Sequence, residues 1–189
     1  AALNINDHQV SQAYVVNLVS GSISNLTPTN FRGHISWVNW KDNENLLYYA
    51  GEGVYPTLSV VPVKGGAREV ILHAADEGII FGHPAFTADF KHFVFTGSTP
   101  SDRINLYHWD GKKDLERVSN LNPWLKDKVL GKQEVIQFQA RDGKEIEGIL
   151  IHPVGYQNDK SYPLIVYVHG GPEAHETNGW LGRYSTPGQ

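Results

Sequence analysis

The sequence predicts a mostly β protein: partial blades of small antiparallel sheet over its first two thirds, then the first strands of a different, α/β-type domain. Three observations carry that reading. Short aromatic and β-branched runs are bounded by Gly, Asn, Asp and Pro. A pattern of four such runs recurs at a fixed spacing, and after Asn120-Leu121-Asn122-Pro123 the hydrophobic pattern changes style.

The runs are Leu46-Leu47-Tyr48-Tyr49-Ala50, Leu58 to Val63, Phe93-Val94-Phe95-Thr96 and Ile104 to Trp109. No long stretch in this region carries a helical period. Trp37-Val38-Asn39-Trp40, Leu46 to Gly51, the strand around Val60 and Glu69-Val70-Ile71 align with Phe86 to Phe90, Phe93 to Gly97, the strand around Tyr107 and Glu116-Arg117-Val118, at an offset of 46 to 49 residues. A partial copy precedes them, Ala13 to Leu18 and then Ile23 to Thr27, in the form of the last two strands of the same unit. A four-stranded repeat of this length is a β-propeller blade, because each blade buries its faces only against its neighbours. A β-sandwich would share the strands but not the period. The expected organisation is residues 1–122 as C-terminal propeller blades (a partial blade over 1–30, blades at about 31–75 and 78–122) and 123–189 as the start of a second domain. So few blades cannot close a ring, so further blades are expected before residue 1.

Composition narrows the function classes. Sixteen basic and 20 acidic side chains leave a net charge of -4 with no long run of either sign, so neither a nucleic-acid nor a membrane footprint is present and a small molecule or peptide is the expected partner. With no cysteine there is no disulfide framework, thiolate metal site or cysteine nucleophile, which fits cytoplasm and periplasm equally. Ala1 to Val10 lacks a basic n-region and an apolar h-region. Methionine is absent even at position 1, and Ser185-Thr186-Pro187-Gly188-Gln189 finishes no recognisable element, so the expectation is a segment of a longer protein.

From residue 134 the pattern is Glu134 to Ala140, a turn at Arg141-Asp142-Gly143, and Glu145 to Pro153 as the returning strand of a β-hairpin. A polar loop, Gly155 to Ser161, leads to Tyr162-Pro163-Leu164-Ile165-Val166-Tyr167-Val168, whose unbroken hydrophobicity predicts a strand covered on both faces. His169-Gly170-Gly171-Pro172 follows directly. In α/β-hydrolases the loop after the third strand presents glycine amides that help bind the oxyanion of a tetrahedral intermediate, and Gly-Gly suits this because no Cβ shields the N–H groups.

Propeller blades followed by Val135 to Ala140, Arg141-Asp142-Gly143, Gly148 to Pro153 and Tyr162 to Glu173 resemble the domain junction of the prolyl oligopeptidase family, in its acylaminoacyl-peptidase and dipeptidyl-peptidase-like branch. The resemblance covers essentially the whole chain and is most specific from Asp142 to about Gln189. It implies a serine peptidase that cleaves short peptides through an acyl-enzyme, using Ser, Asp and His in that chain order, with the propeller gating access. It implies no cofactor and no metal, and leaves a homo-oligomer open. His169 stands where some family members carry a tyrosine that completes the oxyanion hole, so the amides of Gly170 and Gly171 take that role and His169 orients the loop. The sequence departs from the family in one respect: no Gly-x-Ser-x-Gly nucleophile elbow occurs, since Ser22, Ser24, Ser98 and Ser185 all lack the flanking glycines. These 189 residues alone are therefore expected to be inactive. The alternative is a non-catalytic propeller module for binding or assembly, carrying a degenerate hydrolase domain.

Other features have plainer readings. His169, Glu173, His175 and Glu176 do not form a His-Glu-x-x-His pattern, because residue 179 is Gly, so a solvent-facing loop is expected rather than a metal site. Gly65-Gly66 lacks the Lys-Ser or Lys-Thr of a phosphate loop and reads as a hairpin turn within a blade. Asn25-Leu26-Thr27 matches a glycosylation acceptor triplet, which is frequent by chance. Trp37, Trp40 and Trp109 fall on strands of the repeat, where packing between blades is the expectation. Glu52, Glu77 and Arg103 are either tunnel-facing groups or solvated charges.

Overall fold

The computed structural model describes residues 2–3, 10–171, 174–183 and 186–187. Strands β1 (Ala2–Leu3), β2 (Gln12–Val16) and β3 (Ile23–Asn25) form a three-stranded antiparallel sheet. It is followed by a complete four-stranded antiparallel meander, β4 (His34–Trp40), β5 (Asn45–Glu52), β6 (Tyr55–Pro62) and β7 (Glu69–His73), in that spatial order. The β5–β6 turn is the two-residue Gly53-Val54, and Gly53 takes φ 61°, as the first central position of a tight hairpin turn requires. Gly65 and Gly66, both at positive φ, make the β6–β7 turn, as the sequence predicts.

A short helix, α1 (Ala74–Glu77), leads into the second blade. There β8 (Ile80–Phe81) and β9 (Ala85–Phe86) both pair with β10 (Phe93–Thr99), which pairs with β11 (Asp102–Trp109) and through it with β12 (Glu116–Arg117). The repeat places the first strand of this blade at Phe86 to Phe90; the structure has it earlier and in two halves, and Phe90 stands in the turn that follows, at φ 53°. The interruption is Gly82-His83-Pro84, where proline has no N–H to give to a ladder. A 3-10 turn at Pro123–Asp127 ends this half, and β13 (Gln133–Gln139) with β14 (Glu145–Ile151) forms the predicted hairpin, turning at Gly143 with φ 81°. Two-residue strands β15 (Gly182–Arg183) and β16 (Thr186–Pro187) pair near the C-terminus. No helix among the described residues is long and apolar enough to cross a membrane.

Sandwiching explains the hydrophobic patterns. The middle blade is covered on both faces, so β5 and β6 are buried almost throughout. One face of it, with Ile35, Leu46, Tyr48, Ala50 and Val61, packs on Ala13 and Leu26 of the first sheet. The other, with Leu47, Leu58, Val60 and Leu72, packs on Phe81, Phe93, Phe95 and Trp109 of the next blade. In β10 burial alternates instead, Phe93, Phe95 and Gly97 inward and Val94 and Thr96 outward, because one face alone meets another blade among the described residues.

Aromatic residues fill the interblade seam. Phe81 meets Phe95 with ring centroids 5.3 Å apart and Tyr49 at 6.1 Å, in edge-on geometries that suit the ring quadrupoles. The Tyr49 hydroxyl donates to the Phe81 carbonyl at 2.9 Å, and burial pushes its pKa up to about 12. Trp37 and Trp109 pack in or against this seam as predicted, whereas Trp40 is exposed. Glu52 is paired: its Oε1 accepts from Thr57 Oγ1 at 2.6 Å and Arg68 Nη2 at 2.8 Å. Glu77 Oε2 likewise accepts the Leu115 N–H at 3.2 Å.

His83 stands at the rim of the seam, 4.7 Å from the Tyr49 ring centroid and with Nε2 3.2 Å from Ser36 Oγ. Partial desolvation lowers its pKa below the ordinary value. A folded-state pKa below the unfolded one means the folded protein prefers neutral imidazole. That contribution is present above the unfolded value of about 6.5 and is lost as pH falls through the lower folded one. Urea midpoints are therefore expected to fall between about pH 7 and about pH 5, and less steeply in His83→Asn, which does not titrate there.

Candidate active-site loop

Asn105, fully buried, ties the second blade to the linker at its C-terminal end: its Oδ1 accepts from Ser119 Oγ at 3.1 Å and from the Leu121 N–H at 2.8 Å, while Nδ2 donates to Asp102 Oδ2 at 3.0 Å. Beyond this anchor, the β13–β14 hairpin is pinned to the middle blade through Glu147, whose Oε2 accepts the Val54 N–H at 2.9 Å. In the same hairpin Glu134 accepts from Lys132 Nζ at 2.7 Å and lies 2.8 Å from His152 Nε2; these bonds, the lysine's first, hold its carboxyl below the usual carboxylate range.

The segment 174–181 runs back across the β5–β6 turn and the end of β10. Asn178 donates its backbone N–H to Val54 O and its Nδ2 to Tyr55 Oη, both at 2.9 Å, and accepts from Gln133 Nε2 at 2.8 Å. Gly179 is buried, with Ile80 and Ser98 so close that a Cβ there would lie 2.7 Å from Ser98 Oγ, and the Trp180 N–H reaches that same oxygen at 3.4 Å. His175 lies against Gly51, where a Cβ would come within 2.5 Å of Nε2. Desolvation first, and then the neighbouring His34 and His169, lower its pKa. The polar ties around Asn178 had no signal in the sequence, because each partner lies 45 or more residues from it or in another element.

Between these anchors lies the predicted site. Gly170 and Gly171 are exposed, and among the described residues none accepts a hydrogen bond from either amide. Gly171 takes φ 139°, a conformation open to glycine, and Gly170 has open space where a Cβ would stand. His169 Nδ1 lies 3.2 Å from the Gly170 carbonyl. Pro172 and Glu173 lie outside the described residues. Among those described, no group of three or more His, Cys, Asp or Glu side chains could hold a metal ion.

One prediction is corrected. Tyr162 to Val168 is not a buried strand: it forms no ladder, and Leu164, Ile165, Val166 and Val168 are 72–92% exposed. A run apolar on both faces becomes an interior strand only with neighbouring strands at its edges and helices over its faces. The described residues supply neither, and every described strand pair is antiparallel. The loop therefore does not stand at the exit of a parallel sheet in this structure.

Known proteins resemble the chain in sequence and in fold. No family model matches the chain. Probable dipeptidyl-peptidase 5 of Emericella nidulans is 26% identical over 179 residues, covering 91% of this chain and 24% of the relative. The same-named protein of Aspergillus flavus is 24% identical over 153 residues, covering 78% and 21%. The Bacillus subtilis peptidase YuxL is 26% identical over 89 residues, covering 47% and 14%. Among solved structures, Pyrococcus horikoshii acylaminoacyl peptidase superposes with a TM-score of 0.62 at 19% identity over 90% of this chain and 25% of its own, and the AtxE2 isopeptidase with 0.63 at 19% over 87% and 24%. The chain thus spans about a quarter or less of the length of the relatives it matches. The chain is thus similar at low identity to peptidases over as much as 91% of its length and similar in fold to an acylaminoacyl peptidase, and both likenesses support a relation to the prolyl oligopeptidase family.

Proposed function

We propose that these residues are the propeller-to-hydrolase junction of a serine peptidase that cleaves short peptides through an acyl-enzyme: residues 1–122 as C-terminal blades that gate access, and 123–189 as the start of the catalytic domain. The observation that carries the proposal is the pair of exposed bare amides at Gly170 and Gly171, bound by no described residue. Peptidase names among the relatives support peptide hydrolysis as the reaction class.

In this reading a serine outside these residues attacks the scissile carbonyl. Negative charge then develops on the carbonyl oxygen, and the two N–H groups stabilise it by about 3–4 kcal/mol each once the site is dry. His169 orients the loop through Gly170. The exposed apolar run from Leu164 to Val168 becomes an interior strand when the remaining sheet of the catalytic domain covers it, which also removes water from the amides. Short peptides are the substrate class because a propeller over the site excludes folded chains.

With no nucleophile elbow in the 189 residues, the purified chain is expected to release no p-nitroaniline from peptidyl p-nitroanilides. Steady turnover by this chain, abolished by a serine-directed fluorophosphonate, would sink the assignment of the nucleophile to other sequence.

A further inference from the structure

The second blade carries a feature that peptide hydrolysis does not use. His92, directly before β10, and His108, in β11, bring Nδ1 and Nε2 within 3.0 Å of each other. Their ring centroids are 5.2 Å apart and their planes 24° apart, so the two imidazoles meet nitrogen to nitrogen, nearly coplanar, sharing one proton. The ladder sets this approach. Phe93 pairs with Trp109 and Val94 with His108, which places His92 and His108 diagonally on one face of the hairpin. On the next strand Glu116 stands directly opposite His108, and Asp110 follows β11, with Oδ1 held by the Lys112 and Lys113 N–H groups at 3.0 Å.

We propose that His92 and His108 form a two-imidazole site for a late first-row divalent cation of the Zn²⁺, Ni²⁺ or Cu²⁺ class. The ion replaces the shared proton. At a metal–nitrogen distance of about 2.05 Å, two cis ligands lie about 2.9 Å apart at a right angle and about 3.3 Å apart in a tetrahedron. The observed 3.0 Å falls between these values, so the nitrogens already stand at ligand spacing and ligation needs both rings to pivot until their lone pairs converge on the ion. Imidazole nitrogen selects this class over Mg²⁺ and Ca²⁺, which require oxygen donors. Glu116 and Asp110 supply negative charge beside the pair, and the remaining coordination positions stay open to water.

Binding is read by isothermal titration of the untagged protein with NiCl2, ZnCl2 and, as the hard-ion control, MgCl2. The expected result is one saturable site for nickel and zinc, none for magnesium, and affinity weaker by about tenfold or more in both His92→Gln and His108→Gln. Zinc should also raise the unfolding temperature of the parent and of neither variant, with circular dichroism showing that the variants remain folded. No saturable binding, or binding unchanged in the His92→Gln/His108→Gln double variant, overturns the proposal. If one variant fails to fold, the other decides the outcome.

Discussion

Phe95→Ala is expected to lower the free energy of unfolding by about 3–5 kcal/mol, read as a fall in the urea midpoint at unchanged slope. Phe95 is 1% exposed and sits on the inward face of β10, with its ring against Phe81 at 5.3 Å and Phe93 at 6.3 Å. It belongs to the cluster in which Leu47, Leu58, Val60 and Leu72 of the middle blade meet Phe81, Phe93 and Trp109 of the next. Truncation removes the transfer energy of a benzyl group and also leaves a cavity that two rigid sheets cannot close, so the cost lies toward the upper end for large-to-small changes. Val94→Ala is the contrasting case. That side chain is 39% exposed on the outer face of the same strand, and it should cost well under half as much. Equal costs for the two would mean that the seam is not the core joining the blades.

Gly170→Pro, made in the longer peptidase that the proposed function requires, is expected to lower kcat by about 10²–10³-fold with little change in KM. Proline deletes the N–H and nothing else that binds charge, and an oxyanion donor acts on the transition state rather than on bound substrate. Gly170→Ala separates this from loss of space. It keeps the N–H, and its Cβ meets nothing within 4 Å in this structure, so it should retain activity within a few-fold of the parent. The same comparison at Gly171 would be less clear, because φ 139° strains any side chain there. Full activity in Gly170→Pro would remove this amide from the mechanism.

Local rules read the blades well. Turn chemistry at Gly53, Gly65-Gly66 and Gly143 and the recurrence of Trp37 to Ile71 in Phe86 to Val118 follow from backbone conformation and period, which are properties of short windows. The broken inner strand of the second blade was also written locally, in Gly82-His83-Pro84, although the repeat pointed to one continuous strand. The site is different in kind. Gly170 and Gly171 are legible as bare amides, but the ties of the following segment, through Asn178 to Tyr55 and Gln133, join groups from distant elements.

One hydrophobic pattern has two outcomes in this chain. Leu46 to Ala50 and Leu164 to Val168 are both apolar without alternation; the first reads as a strand of the repeat and the second as a strand covered on two faces. For the first the cover exists, one sheet on either side; for the second the described residues provide none, and it lies exposed. Periodicity states how many faces a strand must bury, since side chains alternate across the sheet whatever surrounds it. The repeat and its turns are therefore written in the linear order of residues. Which apolar face finds a partner is a matter of packing between distant segments, because burial is a property of a pair of surfaces and not of the strand that carries one of them.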